Sequence, residues 1–320
     1  MQAADRTNRV NGGVYSAPAY AACQRGLGDP VELERCGGWV LRRSIPGSDL
    51  DDAMGCYPLF ACRAWDRLGE DVEGLRDRLV SLTLVSDPFA EFDPTSLGRT
   101  FNVVRPFKTH FVADLNLAPE CIASAHHRYE ARRGLRRLEV DVCWRPRAHV
   151  DDWVDLYAQL VAYRGLNGPH ALSAASFAQL FELDDVVLLR AIAGGVTVGA
   201  QILILQGDVA HAHLAAFAPA GYRLGASYAL DWMAVESMRD RARWLNWGGQ
   251  AGLEENPDDG LARYKRGWAT HTRRAWLLGA ILDPVAYAEL CGGGAASQTY
   301  FPGYRSGEFR RVDPGMGGGG

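Results

Sequence analysis

VVLLRAIAGGVTVGAQILILQGDVAHAHLAAF, residues 186–217, is the stretch that decides the fold. Two apolar, β-branched runs, VVLLRAI (186–192) and VTVGAQILIL (196–205), meet at Ala193-Gly194-Gly195, and a third, VAHAHLAAF (209–217), follows Gly207-Asp208. Short apolar runs broken by Gly-Gly and Gly-Asp predict three consecutive antiparallel strands, because tight hairpin turns need residues that accept positive φ. Upstream, Trp153, Leu156, Tyr157, Leu160 and Val161 fall at helical spacing within 150–165, with Gly165 at the C-cap position. Ser173 opens a second helix, SAASFAQLFEL. Downstream, APAGYRLGAS (218–227) reads as a loop, YALDWMAVESMRDRA (228–242) as a helix and WLNWGG (244–249) as a strand. GLARYKRGWA (260–269) follows as a short helix and RRAWLLGAIL (273–282) as a last strand.

The first half carries weaker signals of the same kind. GWVLRRS (38–44) and SLTLVS (81–86) read as strands, and 70–79 as a helix with Leu75 and Val80 towards its buried side. Residues 86–100, with Asp87-Pro88, Asp93-Pro94 and Gly98, read as a loop. FNVVRPF (101–107) and THFVADL (109–115) read as two strands with a turn between them, 119–138 as one helix starting at Pro119, and LEVDVCW (138–144) as a strand. The pattern is α+β in two halves, which divide near Arg145–Val150 into 1–147 and 148–283. Residues 284–312 are expected to pack back on the first half, since Tyr300-Phe301-Pro302-Gly303-Tyr304-Arg305 is too aromatic for a free tail. Gly317–Gly320 reads as a flexible tail outside the fold.

Composition limits the function classes. In 320 residues the formal net charge is -4, so bulk charge does not advertise nucleic-acid binding. Seven cysteines, at 23, 36, 56, 62, 121, 143 and 291, form no CxxC pair and no regular spacing, which speaks against a disulfide framework or a zinc site. The polar N-terminus carries no signal-peptide stretch and no run reaches membrane-spanning length, so the expected location is the cytoplasm.

Several residues stand out as candidates for chemistry. Arg128, Arg132, Arg133, Arg136, Arg137, Arg145 and Arg147 concentrate positive charge in an acidic chain, either as phosphate grips or as a solvated helix face. His211 and His213 alternate along one run and therefore share a face; without a third ligand they suggest hydrogen-bonded histidines and no metal. His213, Asp231 and Glu236 are the candidate bases, and Trp244, Trp247 and Trp268 either core residues or the lining of an acyl pocket.

The order of elements from 150 onward resembles the GNAT acyltransferase fold. Three further features resemble the FemAB-like aminoacyltransferases over roughly residues 80–285. They are Asn246-Trp247-Gly248-Gly249, then Asp259-Gly260-Leu261-Ala262-Arg263-Tyr264-Lys265-Arg266-Gly267-Trp268, and the arginine-rich run Arg128–Arg137. The resemblance implies two GNAT-like domains with mixed sheets flanked by helices, and an enzyme that moves an aminoacyl or related acyl group onto an amine. The donor would be aminoacyl-tRNA, with acyl-CoA as the rival and no tightly bound cofactor. The acceptor would be an amine-bearing small molecule, a peptide or a cell-wall precursor. In that family the lysine of the aromatic-Lys segment stabilises charge during transfer, which points to Lys265. Tyr264, expected beside it in the catalytic segment, stands where phenylalanine is commoner. The loop at Gly221–Ser227 loosely matches the GNAT pyrophosphate-binding motif, which assigns Arg223, Gly225 and Ala226 to the donor. Arg132, Arg136, His213, Trp247, Arg263 and Trp268 are the expected substrate contacts. A catalytically silent GNAT-like binding module is the reading from a different class.

Overall fold

The computed structural model describes residues 13–164, 172–250, 252, 256, 259–292 and 300–308. Eleven strands among them join in one sheet: β1 (Asp29–Leu33), β2 (Gly38–Ser44), β3 (Asp51–Gly55), β4 (Ser81–Val85), β5 (Val103–Asp114), β6 (Glu139–Cys143), β7 (Val186–Ala193), β8 (Val196–Gln206), β9 (Val209–Phe217), β10 (Trp244–Asn246) and β11 (His271–Ile281). Their spatial order is β1-β2-β3-β4-β11-β5-β10-β9-β8-β7-β6. The meander predicted for 186–217 forms as β7, β8 and β9, with Gly194, Gly195 and Gly207 all at positive φ in the turns. β11 returns across the molecule to pair antiparallel with both β4 and β5, while β6 closes the far edge against β7.

Helices cover both faces. They are α1 (Pro18–Ala22), α2 (Leu68–Glu73), α3 (Pro94–Leu97), α4 (Pro119–Ile122), α5 (Ala125–Leu135), α6 (Val150–Arg164), α7 (Ala174–Leu180), α8 (Pro219–Leu224), α9 (Ala226–Met238), α10 (Gly260–Arg266) and α11 (Pro284–Leu290). On one face α5 and α9 pack over β7, β8 and β9 with Leu189, Leu203, Leu230, Leu245 and Trp268 in the core. On the other, Trp153, Tyr157 and Phe177 of α6 and α7 share a core with Tyr15, Tyr20, Leu188 and Ile202. The first half has its own core around Phe60, Leu82, Leu84 and Leu278. The described residues thus form an α+β fold in which one large mixed sheet is flanked by helices.

Several local expectations need correction. Residues 103–114 are one strand; the pairing with β11 jumps from Lys108↔Ala275 to Pro106↔Trp276, and this bulge absorbs a proline that cannot donate to the ladder. The helix expected over 119–138 breaks into α4 and α5, because Ser124 is extended and its hydroxyl caps α5 by accepting from the His127 N–H. The helix expected over 70–79 runs Leu68–Glu73, and Leu75 and Val80 are buried beyond its end. The strand expected through Gly249 ends at Asn246. The Gly165 cap lies outside the described residues.

The segment 218–227 is not a loop throughout. Pro219 starts α8, and Gly225 (φ 81°, ψ 30°) ends α8 and begins α9 in the left-handed region that favours glycine. Gly221 sits tight under this turn: a Cβ there would lie 2.1 Å from the backbone oxygen of Val198. Backbone cannot swing away like a side chain, so Gly221→Ala should cost about 1–3 kcal/mol and lower the melting temperature measurably. An unchanged melt would show that α8 shifts freely.

The aromatic segment at 300–305 lies on the first half. Arg305 makes a two-pronged ion pair with buried Asp52 and donates to the Ser44 carbonyl, while the Tyr304 hydroxyl meets Ser81 and Asp52. Phe301 stacks on Tyr287 of α11.

Candidate active site

The parallel pairing of β9 with β10 ends at Asn246↔His211. Beyond it the chain leans toward β5: the Trp247 N–H donates to the Phe111 carbonyl (2.9 Å), and the Phe111 N–H to the Gly248 carbonyl (3.2 Å). The neighbouring strands therefore part at Gly248-Gly249, in the middle of the sheet. Gly248 has φ 75°, which turns the chain there, and a Cβ on it would come 3.3 Å from the Lys265 Nζ.

Lys265 reaches that rim from α10. Asp259 caps the helix by accepting from the Ala262 N–H (2.9 Å), and Arg263, Lys265 and Arg266 fill the last turn, where positive charge suits the helix dipole. The Lys265 ammonium donates to the Gly249 carbonyl at 2.5 Å. Burial depresses its pKa to about 8, against the opposing pull of Asp231 and Asp259. It thus remains largely cationic at neutral pH while being poorly hydrated, the state in which a cation best stabilises an oxyanion.

Tyr264 turns the other way. Its hydroxyl donates to Asp231 (2.6 Å), and Gln201 donates to the other oxygen of the same carboxylate (3.0 Å). Burial pushes Asp231 up to about 6, and the bonds from Tyr264 and Gln201 together with the Lys265 charge hold it down. With both oxygens engaged, Asp231 anchors α10 to α9 and is poorly placed to serve as the base expected of it. Burial, with Asp231 beside it, raises the Tyr264 pKa well above the usual phenol range, so the ring stays protonated as a donor. His127, which the sequence reading did not single out, bonds the Tyr264 carbonyl through Nε2 (2.9 Å) and Ser124 through Nδ1 (2.7 Å).

The remaining candidates separate. Trp247 and Trp268 are buried, with the Trp247 indole N–H donating to the Trp268 carbonyl (2.9 Å). They form the wall behind the site, because fully packed rings leave no face for an acyl group, and the expectation of substrate contact is corrected on that ground. His213 is held by the Tyr15 hydroxyl (3.3 Å), and burial lowers its pKa to about 3, leaving it neutral. Glu236 is exposed on α9, pointing away from the buried side that carries Asp231. Arg263 is exposed on α10. Arg132 is exposed on α5 and Arg136 at its C-cap, as is Arg223 on α8, and the two helices meet where Gly134 packs against Gly225. Ala226 is fully buried at the start of α9.

A second group, absent from the reading of the sequence except for Asn246 and His211, lines the sheet beside the rim. Asn246 bonds His110 Nδ1 (3.1 Å), His211 Nδ1 (3.1 Å) and the Gly248 N–H (2.9 Å). His211 Nε2 lies 3.8 Å from buried Asp87. Residues 87, 110, 211 and 246 come from four segments, so only the alternation of THFVADL and VAHAHLAAF hinted at shared faces.

Among the described residues no group of three or more His, Cys, Asp or Glu side chains is arranged to hold a metal, and no helix is long and apolar enough to cross a membrane.

Comparison with known proteins bears on this geometry. Residues 125–266 match the acetyltransferase (GNAT) domain family. The fold resembles the crystal structure of FemX at 12% identity, over 89% of this chain and 96% of that one, with a TM-score of 0.65. It also resembles the C-terminal domain of a putative lysylphosphatidylglycerol synthetase from Agrobacterium fabrum, at 13% identity over 85% and 90% with a TM-score of 0.61. The L-PGS structure from Bacillus licheniformis matches at 10% identity over 83% and 92%, with a TM-score of 0.56. No curated protein sequence matches the chain. The domain match supports acyltransferase chemistry of the GNAT type for residues 125–266. Over the whole chain the likeness to FemX is one of fold, an α+β arrangement of the tandem GNAT type.

Proposed function

We propose that the protein transfers an aminoacyl group from aminoacyl-tRNA, or a closely related acyl ester, onto an amine, with Lys265 as the cation at the reacting carbonyl. One observation carries the transfer chemistry: a half-dry ammonium held at the rim where β9 and β10 part. As the amine adds, the carbonyl oxygen gains negative charge, and a fixed cation there lowers the barrier without reorganising. Tyr264 supports it indirectly by tying α10 to Asp231. In this reading residues 1–147 and 148–283 act as two GNAT-like units, with β11 crossing from the second to complete the sheet of the first.

The Gly225 turn favours an aminoacyl ester over acyl-CoA as donor. In GNAT enzymes the pyrophosphate of coenzyme A rests on backbone N–H groups at this point. Here the Gly225 N–H is used within α8, bonding the Tyr222 carbonyl (3.2 Å), and a Cβ on Gly134 of α5 would fall 2.8 Å from the Gly225 oxygen. The turn is covered by α5, and the Gly225 N–H is spent within it. Arg132, Arg136 and Arg223 surround it and suit the phosphates of an acceptor stem. The acceptor is an amine on a small molecule, a peptide or a cell-wall precursor, met in the cytoplasm.

Thermal stabilisation separates the donors. Coenzyme A should leave the melting temperature unchanged at concentrations where an aminoacyl-tRNA acceptor-stem mimic raises it. A clear upward shift with coenzyme A would replace the proposed donor by acyl-CoA.

A further inference from the structure

The arrangement around Asn246 settles which nitrogen of each neighbouring histidine carries the proton. The Gly248 N–H can only donate, so the Asn246 atom it meets at 2.9 Å is the amide oxygen, and the amide orientation follows. That same oxygen faces His110 Nδ1 at 3.1 Å, so Nδ1 must carry the hydrogen. A neutral imidazole protonated on Nδ1 has its lone pair on Nε2. The Asn246 NH2 group faces His211 Nδ1 at 3.1 Å, which makes that nitrogen the acceptor and puts the His211 proton on Nε2, aimed at Asp87 3.8 Å away. One asparagine thus imposes opposite tautomers on its two histidines.

His110 is buried on β5, next to the site. The ring carbon bonded to Nε2 lies 3.6 Å from where a Gly249 side chain would begin, and Gly249 is the residue whose carbonyl holds Lys265. The basic edge of His110 and the ammonium of Lys265 therefore flank the same glycine. The charged and titratable groups around His110 are Lys108 on its own strand, Lys265 from α10, His211 from β9 and Arg273, its cross-strand partner on β11. Burial, opposed by the Asn246 bond and helped by Lys265, His211 and Lys108, lowers its pKa to about 3, so the ring is neutral and its lone pair unprotonated throughout the physiological range.

Resting on the acyl-transfer reading, we infer that His110 Nε2 is the proton acceptor for the attacking amine and that Asn246 is the positioning residue that fixes it. The amine nitrogen forms the new C–N bond to the donor carbonyl carbon, and its proton passes to Nε2. The ester C–O bond then breaks, and the imidazolium returns that proton to the departing ribose oxygen, so His110 ends the cycle neutral. Lys265 holds the carbonyl oxygen while it is negative and exchanges no proton. None of the base candidates read from the sequence is placed to do this: Asp231 is engaged at both oxygens, His213 is tied to Tyr15, and Glu236 is exposed.

Two measurements on the full chain test the inference. Long-range proton–nitrogen NMR of the imidazoles should show His110 as the Nδ1–H form and His211 as the Nε2–H form in the wild type, with the His110 preference lost in Asn246→Ala. An Nε2–H form of His110 in the wild type overturns the inference whatever the activity. For transfer from an aminoacylated acceptor-stem mimic to hydroxylamine, an amine uncharged at neutral pH, His110→Gln should lower kcat by about 10²-fold with KM little changed, the low end for a general base because the His110 pKa lies well below neutrality. Asn246→Ala should lower it less, and circular dichroism melts check that both variants fold. A wild type that transfers nothing from this donor or from acetyl-CoA overturns the acyl-transfer reading and this inference together. Active wild type with a folded, fully active His110→Gln overturns only the role of His110. If His110→Gln does not fold, His110→Asn takes its place in the same comparison.

Discussion

Lys265→Ala should reduce kcat/KM for acyl transfer by about 10²–10³-fold, the loss expected when one preorganised donor of about 2.7–4 kcal/mol is taken from a developing oxyanion. The ammonium acts on charge that exists only in the transition state, so the loss should fall mainly on kcat, with KM changing little. The pH dependence gives a second view of the same group. Burial has lowered the Lys265 pKa to about 8, so the cation is present below that pH and disappears as pH rises through it. With hydroxylamine as acceptor, kcat/KM should therefore fall above about pH 8. Lys265→Arg keeps its charge and should remove that falling limb even if its longer, planar head lowers the rate. A steady-state pH profile from 6 to about 10 on the three proteins checks both statements. Full activity in Lys265→Ala would remove Lys265 from the transfer mechanism.

The largest expected effect on stability lies far from the rim. Asp52→Ala should destabilise the protein by about 3–5 kcal/mol, because removing one partner of a buried ion pair strands the other charge. Asp52 is 1% exposed and takes Arg305 at both carboxylate oxygens, with Arg43 3.5 Å from one of them. Glu308 contacts both guanidinium groups but is only partly buried, so it compensates little. The same aspartate accepts from the Tyr304 hydroxyl, so its loss frees the 300–308 segment from β2, β3 and β4. Urea unfolding followed by tryptophan fluorescence should show the drop in midpoint, and limited proteolysis should cut the C-terminal segment faster. A midpoint shift worth less than about 1 kcal/mol would mean that this ion pair contributes no more than an exposed one.

Much of the second half was legible along the chain. The hairpins at Gly194-Gly195 and Gly207, the helix beginning after Ser173 and the short helix bearing Lys265 each announce themselves within a dozen residues, through turn chemistry, capping and apolar spacing. Where the reading went astray, a local signal had a rival. Pro106 looked like a strand end until a bulge absorbed it; Ser124 cut a helix that its arginine-rich sequence would have continued; and APAGYRLGAS looked like a glycine loop although Pro219 could start a helical turn. The site divides in the same way. Lys265 and Tyr264 stand in a contiguous segment with recognisable spacing, whereas His110, Asn246, His211 and Asp87 have no common signal.

By itself, the chain's order of residues determined the three-strand meander of 186–217, the helix after Ser173 and the helix that carries Lys265. Those depend on contacts between residues close in sequence, where φ preferences and periodicity act directly. Only tertiary structure decided that β11 crosses back between β4 and β5, that Trp247 and Trp268 serve as core, and that one asparagine sets the protons of two histidines. Such outcomes rest on burial and on partners that the local sequence does not bring together, some more than a hundred residues apart, and an amide side chain has no tautomer to impose until folding places both rings against it.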